Sequence, residues 1–102
     1  MVVLLNPFTV APEHEEAFLA LWDRTNAIFR TKPGYIDAKL HRARELQPAG
    51  MRAPHTHLNV AHWRSEADYV AALADPEIRR LAGDYRHVST FAPALYDVVR
   101  DV

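Results

Sequence analysis

The apolar positions change period several times along the chain, and each change marks an element. Val2 to Val10 is an apolar, β-branched run that reads as a buried strand. From Pro12 the period becomes helical. Pro12 suits a first turn, and Glu13, Glu15 and Glu16 complement the positive end of the helix. Phe18, Trp22 and Phe29 form one row, with Leu21 and Ile28 beside it. Lys32-Pro33-Gly34 stops this helix near Arg30. Tyr35 to about Arg44 returns to a two-residue period, with Ile36, Ala38 and Leu40 on one face. Two prolines and a glycine between Glu45 and Pro54 predict a hairpin loop, and His55 to Arg64 a third strand.

Ser65, with Asp68 three residues on, is a helix-capping signal for a short helix to about Ala74. Asp75-Pro76-Glu77 is a second start signal, with Asp75 as cap and Pro76 at the first helical position. That second helix is expected to fray near Gly83. After a loop containing Pro93, Leu95 to Val102 is predicted as the last strand.

The order β-α-β-β-α-β predicts a ferredoxin-like α+β fold, a four-stranded antiparallel sheet with helices on one face. Val3, Leu5, Leu58 and Val60 alternate with Asn6, Asn59 and Trp63, so they line the sheet face away from the helices. A sheet with two apolar faces and helices on only one needs a partner. The pattern therefore predicts a homodimer that closes two sheets against each other.

Composition narrows the classes. The 102 residues suit one domain, and 49% hydrophobic with 25% charged residues excludes a disordered chain. A formal net charge of -1 lacks the electrostatic footprint of a nucleic-acid binder. No stretch approaches the roughly 20 apolar residues that span a bilayer. No basic segment precedes the first apolar run, so a signal peptide is not expected and a cytoplasmic location is. Without cysteine there is no disulfide, thiolate nucleophile or thiolate metal site.

The stretch from His57 to Tyr69 carries the most chemistry. His55, His57, Asn59 and Trp63 share one strand face, and Tyr69, one turn into the next helix, can fold back over it. Asn6 is on the first strand, on the same side as Leu4 and Phe8. Two readings are open. Trp63 is core and Asn59 bridges backbone, or the amides and the indole N–H are fixed polar groups in an apolar pocket. The Phe18 and Trp22 row reads as core that can also wall such a pocket, and His57 is a further candidate for contact with a ligand.

Leu5-Asn6-Pro7-Phe8, Lys32-Pro33-Gly34-Tyr35, Asn59-Val60-Ala61-His62-Trp63-Arg64-Ser65-Glu66 and Pro93-Ala94-Leu95-Tyr96-Asp97-Val98-Val99 together resemble the antibiotic biosynthesis monooxygenase family. The resemblance covers nearly the whole chain. It implies a dimeric α+β barrel with one cavity per subunit, between sheet and helices. It also implies oxidation of anthrone-type phenolic polyketides by O2 without flavin, haem or metal. The family pattern of asparagine, tryptophan four residues on and tyrosine six further on is met by Asn59, Trp63 and Tyr69, and Asn6 matches a strand-one asparagine. On that likeness these four are the expected catalytic residues, and Trp22, Phe18 and His57 the expected substrate contacts.

Another branch of the family degrades haem, using a strand-one asparagine with a tryptophan and an iron-binding histidine on the later helices. Asn6 fits, but between Ser65 and Tyr85 there is neither tryptophan nor histidine, and His87 follows in a predicted loop. His55-x-His57 could chelate a metal, yet no carboxylate of matching spacing lies in that strand, so no metal site is expected. A non-catalytic dimeric protein that binds a small molecule is the remaining alternative, because one scaffold hosts many roles.

Overall fold

The computed structural model describes residues 1–102, and its elements follow the order β1 (Val2–Thr9), α1 (Glu15–Phe29), β2 (Tyr35–Arg42), β3 (His57–Trp63), α2 (Glu66–Leu73), α3 (Pro76–Tyr85), β4 (Thr90–Phe91) and β5 (Ala94–Tyr96). A 3-10 turn at Pro12–His14 leads into α1. The strands run antiparallel in the order β2-β3-β1-β4, and β5 pairs with the same edge of β1 as β4. The fourth strand of the predicted sheet is thus split in two around Ala92 and Pro93, where a residue without an N–H cannot continue the ladder.

The capping signals act as their chemistry dictates. Ser65 Oγ accepts the Asp68 backbone N–H at 3.1 Å and donates to the Asp68 carboxylate at 2.9 Å. Asp75 Oδ1 accepts the Glu77 N–H at 2.8 Å, and Lys32 Nζ reaches the other Asp75 oxygen at 2.6 Å. The turn before β2 needs its glycine. Gly34 has φ +86°, its carbonyl accepts the Arg64 N–H at 2.7 Å, and a Cβ there would overlap the Asp68 side chain.

Strand alternation sorts the two faces as the pattern predicts. Leu4 and Phe8 on β1, and His57, Ala61 and Trp63 on β3, are buried under the helices. Val3, Leu5 and Val60 on the opposite face are half-buried, and Leu58 is 38% exposed. The core beneath the helices falls into two clusters. One gathers Leu4, Ala61, Trp63, Tyr69 and Ala72; the other Phe8, Val10, Phe18 and Tyr85.

Three predicted boundaries are corrected. A bulge between Tyr35 and Asp37 turns Ile36 outward, 48% exposed, so Tyr35 rather than Ile36 joins Ala38 and Leu40 on the inner face. Helix α3 runs past Gly83 to Tyr85, whose ring is buried in the second cluster. The last strand starts at Ala94 and ends at Tyr96 instead of Val102. Tyr96 pairs with Val3, so the chain beyond it outruns the start of β1 at Val2 and has no strand left to pair with.

Candidate functional site

On β1 the inward positions are Leu4, Asn6 and Phe8; on β3 they are His57, Asn59, Ala61 and Trp63. Antiparallel register sets Asn6 directly opposite Asn59. A pair of amides therefore interrupts the apolar layer between the two core clusters. Amides cannot be packed against hydrocarbon without cost, and here a cavity of about 130 Å³ remains beside them. Its walls draw on both clusters, among them Leu4, Ala61 and Trp63 from one and Phe8 and Tyr85 from the other.

The two amides differ in what they have left to offer. Asn6 Oδ1 accepts the Ala92 backbone N–H at 3.2 Å, which leaves its NH2 group for a ligand. Asn59 Oδ1 is buried and has no hydrogen-bond partner. Buried polar atoms are almost always paired, so this oxygen at a cavity wall stands out among the polar groups of the site.

Trp63 is 1% exposed and sits at the centre of an aromatic cage. Phe29, Tyr35 and Tyr69 each lie 5.5 Å from it, centroid to centroid, in edge-to-face arrangements that fix the indole plane. Tyr69 also lines the cavity, and burial pushes its phenol pKa up, so it stays a proton donor at neutral pH.

Helix α1 presents Trp22, Thr25, Asn26 and Phe29 to the cavity, a stripe at i, i+3, i+4 and i+7. Two of these are polar, and each engages a tyrosine. Thr25 Oγ1 donates to the Leu21 carbonyl at 2.8 Å and lies 3.0 Å from the Tyr85 hydroxyl. The Tyr35 hydroxyl donates to Asn26 Oδ1 at 3.2 Å. Burial pushes the Tyr85 phenol up to about 12. Thr25, Asn26, Tyr35 and Tyr85 were not among the sequence candidates. The available signal was the pair of polar residues inside an otherwise apolar helical stripe.

Of the residues singled out in the sequence, Asn6, Asn59, Trp63, Tyr69 and Trp22 line the cavity. Phe18 and His57 do not. Phe18 is fully buried between Phe8 and His57, with ring centroids 4.8 and 5.0 Å away, and so is core rather than a substrate contact. His57 is buried on the far side of Phe18. Its Nε2 lies 3.0 Å from Glu15 and its Nδ1 2.8 Å from Thr56, so both ring nitrogens are used in tying β3 to the start of α1. Of the polar groups on the cavity wall, only tyrosines titrate; no carboxylate, imidazole or amine is present there.

A haem does not fit these residues. No histidine lines the cavity, His87 is exposed beyond α3, and about 130 Å³ is far below the volume of a porphyrin. No helix is long and apolar enough to cross a membrane.

The profile of the antibiotic biosynthesis monooxygenase family matches residues 1–83. The chain is 32% identical to Tetracenomycin-F1 monooxygenase of Streptomyces glaucescens over 96% of its own length and 81% of that protein's. SnoaB, a cofactor-independent oxygenase from Streptomyces nogalater, superposes with a TM-score of 0.80 at 28% identity, covering 99% of this chain and 95% of that one. A Pseudomonas aeruginosa protein at 18% identity, covering 97% and 94% of the two chains, shares the fold with a TM-score of 0.76. With the profile spanning most of its length and a relative of this identity along nearly all of it, the chain belongs to the antibiotic biosynthesis monooxygenase family.

Proposed function

We propose that this protein is a monooxygenase that oxidises a small aromatic, anthrone-type substrate with O2, without a bound cofactor, and works as a homodimer. The observation that carries the reading is the unpartnered, buried oxygen of Asn59 beside Asn6 in an otherwise apolar cavity. The relatives support it, one named for oxidation of tetracenomycin F1 and one described as cofactor-independent.

The overall reaction converts a ring CH2 and O2 into a ring C=O and water. Loss of one C–H proton gives a stabilised anion, which passes one electron to O2. The resulting radical pair combines into a C–O bond. Loss of the second C–H proton then breaks the O–O bond, and the departing oxygen leaves as water. Substrate supplies all the electrons, so the protein need only favour the anion and control water and protons.

The cavity wall matches that division of labour. It holds no general base stronger than a phenol, so ionisation depends on lowering the substrate's own pKa. The NH2 groups of Asn6 and Asn59 stabilise the oxyanion that forms, in a dry site where such bonds are strongest. An amide turns about its last torsion, so Asn59 can present either NH2 or oxygen to successive species. Tyr69, kept protonated, hands a proton to the peroxide oxygen that leaves as water. Trp63 and its cage keep the wall rigid. Ligand pockets usually measure about 300–1,000 Å³. At about 130 Å³ this one takes one end of a polycyclic substrate, with the remainder at its mouth.

The dimer reading rests on the half-exposed apolar row of Val3, Leu5, Leu58 and Val60, which the helices of the same chain do not cover. For the chemistry, incubation with dithranol under air gives quinone absorbance at a rate that Asn59→Ala lowers by about 10²–10³-fold, as for loss of an oxyanion donor. Trp63→Phe lowers it less. Equal rates in wild type and both variants would leave a binding protein rather than an enzyme.

A further inference from the structure

The hydrogen bonds on α1 fix the direction of one proton in the cavity. Thr25 Oγ1 has a single proton, and it goes to the Leu21 carbonyl at 2.8 Å. The bond of 3.0 Å between Thr25 and Tyr85 must therefore be donated by Tyr85. Tyr85, although protonated, has no proton to give to a ligand; its free valence is a pair of acceptor lone pairs. Tyr35 and Asn26 form a similar pair, but an amide can turn and reverse that bond, so its direction is not fixed. Across the cavity Asn6 leans the other way, since it keeps only its NH2 donors once its oxygen is taken by Ala92, while the Asn59 amide, its oxygen unpartnered, is free to turn.

We infer that the cavity is polarised, with the Asn6 NH2 as donor on the strand floor and Tyr85 as acceptor beneath α1, and that Tyr85 selects substrates bearing a hydroxyl at the end of the ring system remote from the carbonyl that becomes the oxyanion. Such a ligand places its carbonyl on the amides and donates its phenolic proton to Tyr85. A methyl ether at the same position has no proton to offer and meets an acceptor instead. Thr25 acts only through Tyr85, as a positioning residue. This inference deepens the oxygenase reading and rests on it for the word substrate, but the selectivity itself is a property of binding.

Bicyclic probes suit the cavity volume. Calorimetric titration with 1-tetralone, 6-hydroxy-1-tetralone and 6-methoxy-1-tetralone reads the effect without turnover. A neutral hydrogen bond corresponds to about a two- to tenfold preference for the hydroxyl compound over 1-tetralone. Tyr85→Phe reduces that preference to about one, with the affinity for 1-tetralone kept. Thr25→Val removes the acceptor of the Tyr85 proton while preserving shape, so the hydroxyl becomes a donor to ligand and 6-methoxy-1-tetralone gains over wild type. A merely structural role for Thr25 would weaken all three probes together. Near-UV circular dichroism of both variants checks that the cavity is intact. Equal binding of the hydroxyl and unsubstituted probes by wild type, or an undiminished preference in Tyr85→Phe, overturns the inference. A wild-type preference without anthrone oxidation refutes the oxygenase reading alone; oxidation without the preference refutes the polarity alone.

Discussion

Replacing Asn59 by Leu should make the protein more stable and, on the proposed chemistry, nearly abolish anthrone oxidation. The buried Asn59 oxygen lacks a partner, and leaving such an atom unsatisfied costs about 1–3 kcal/mol. That oxygen is inaccessible to solvent, so water does not relieve the cost, and the lower end of the range, about 1 kcal/mol, is the least gain expected. Leucine has the same branched outline, with two methyl groups in place of the amide oxygen and NH2; the cavity accepts their larger volume, so overpacking does not cancel the gain. For a domain of this size about 1 kcal/mol raises Tm by roughly 4–8 °C. Thermal unfolding at matched protomer concentration reads the shift, because the Tm of an associating protein depends on concentration. Urea titration should show a higher midpoint with an unchanged slope. Quinone formation from dithranol should fall by about 10²–10³-fold. A variant less stable than wild type would show that Asn59 packs as structure. Retained activity would show that the amide is not the oxyanion donor. Either result refutes the argument that a stability cost is kept here for chemistry.

Gly34→Ala should destabilise by at least about 1–2 kcal/mol from the left-handed backbone alone, and by more because the new methyl displaces Asp68; a Tm within a degree of wild type would contradict this. Tyr85 is raised in the fold from 10 to about 12, so its neutral form stabilises the protein fully below pH 10 and is lost as pH climbs towards 12. Urea midpoints should fall over that window in wild type and fall less in Tyr85→Phe; parallel profiles would remove Tyr85 as the cause. Leu58→Lys, on the open sheet face at 38% exposure, should give a monomer by sedimentation velocity where wild type is a dimer. A dimeric Leu58→Lys protein, or a monomeric wild type, would place any interface elsewhere.

Much of this architecture is local and hence legible in the chain. Side-chain alternation in β1 and β3 put Asn6, Asn59 and Trp63 on one face before any packing was known, because the strand period is two whatever lies above it. Ser65 and Asp75 marked their helix starts because capping satisfies backbone N–H groups within three residues. Lys32-Pro33-Gly34 marked the turn for the same short-range reason. Family likeness then implied roles, still to be tested, for Asn59, Trp63 and Tyr69 that spacing alone left open between packing and pocket.

What lay beyond the sequence depended on partners distant in the chain. Whether the last strand reached Val102 was decided by where β1 begins, since a strand without a neighbour forms no ladder. The bulge at Ile36 follows from register against β3, and it exchanged Ile36 for Tyr35 at the cavity. Continuation of α3 past Gly83 follows from burial of Tyr85 against Phe8 and Phe18, which outweighs the low helix propensity of glycine. Phe18 and His57 shared a periodicity with true cavity residues, yet the packing of Phe8 against Phe18 put them behind the wall. Period and capping are read within a few residues and so are written in the sequence. An empty space between two core clusters, and the direction of a proton across it, exist only where four separate elements meet.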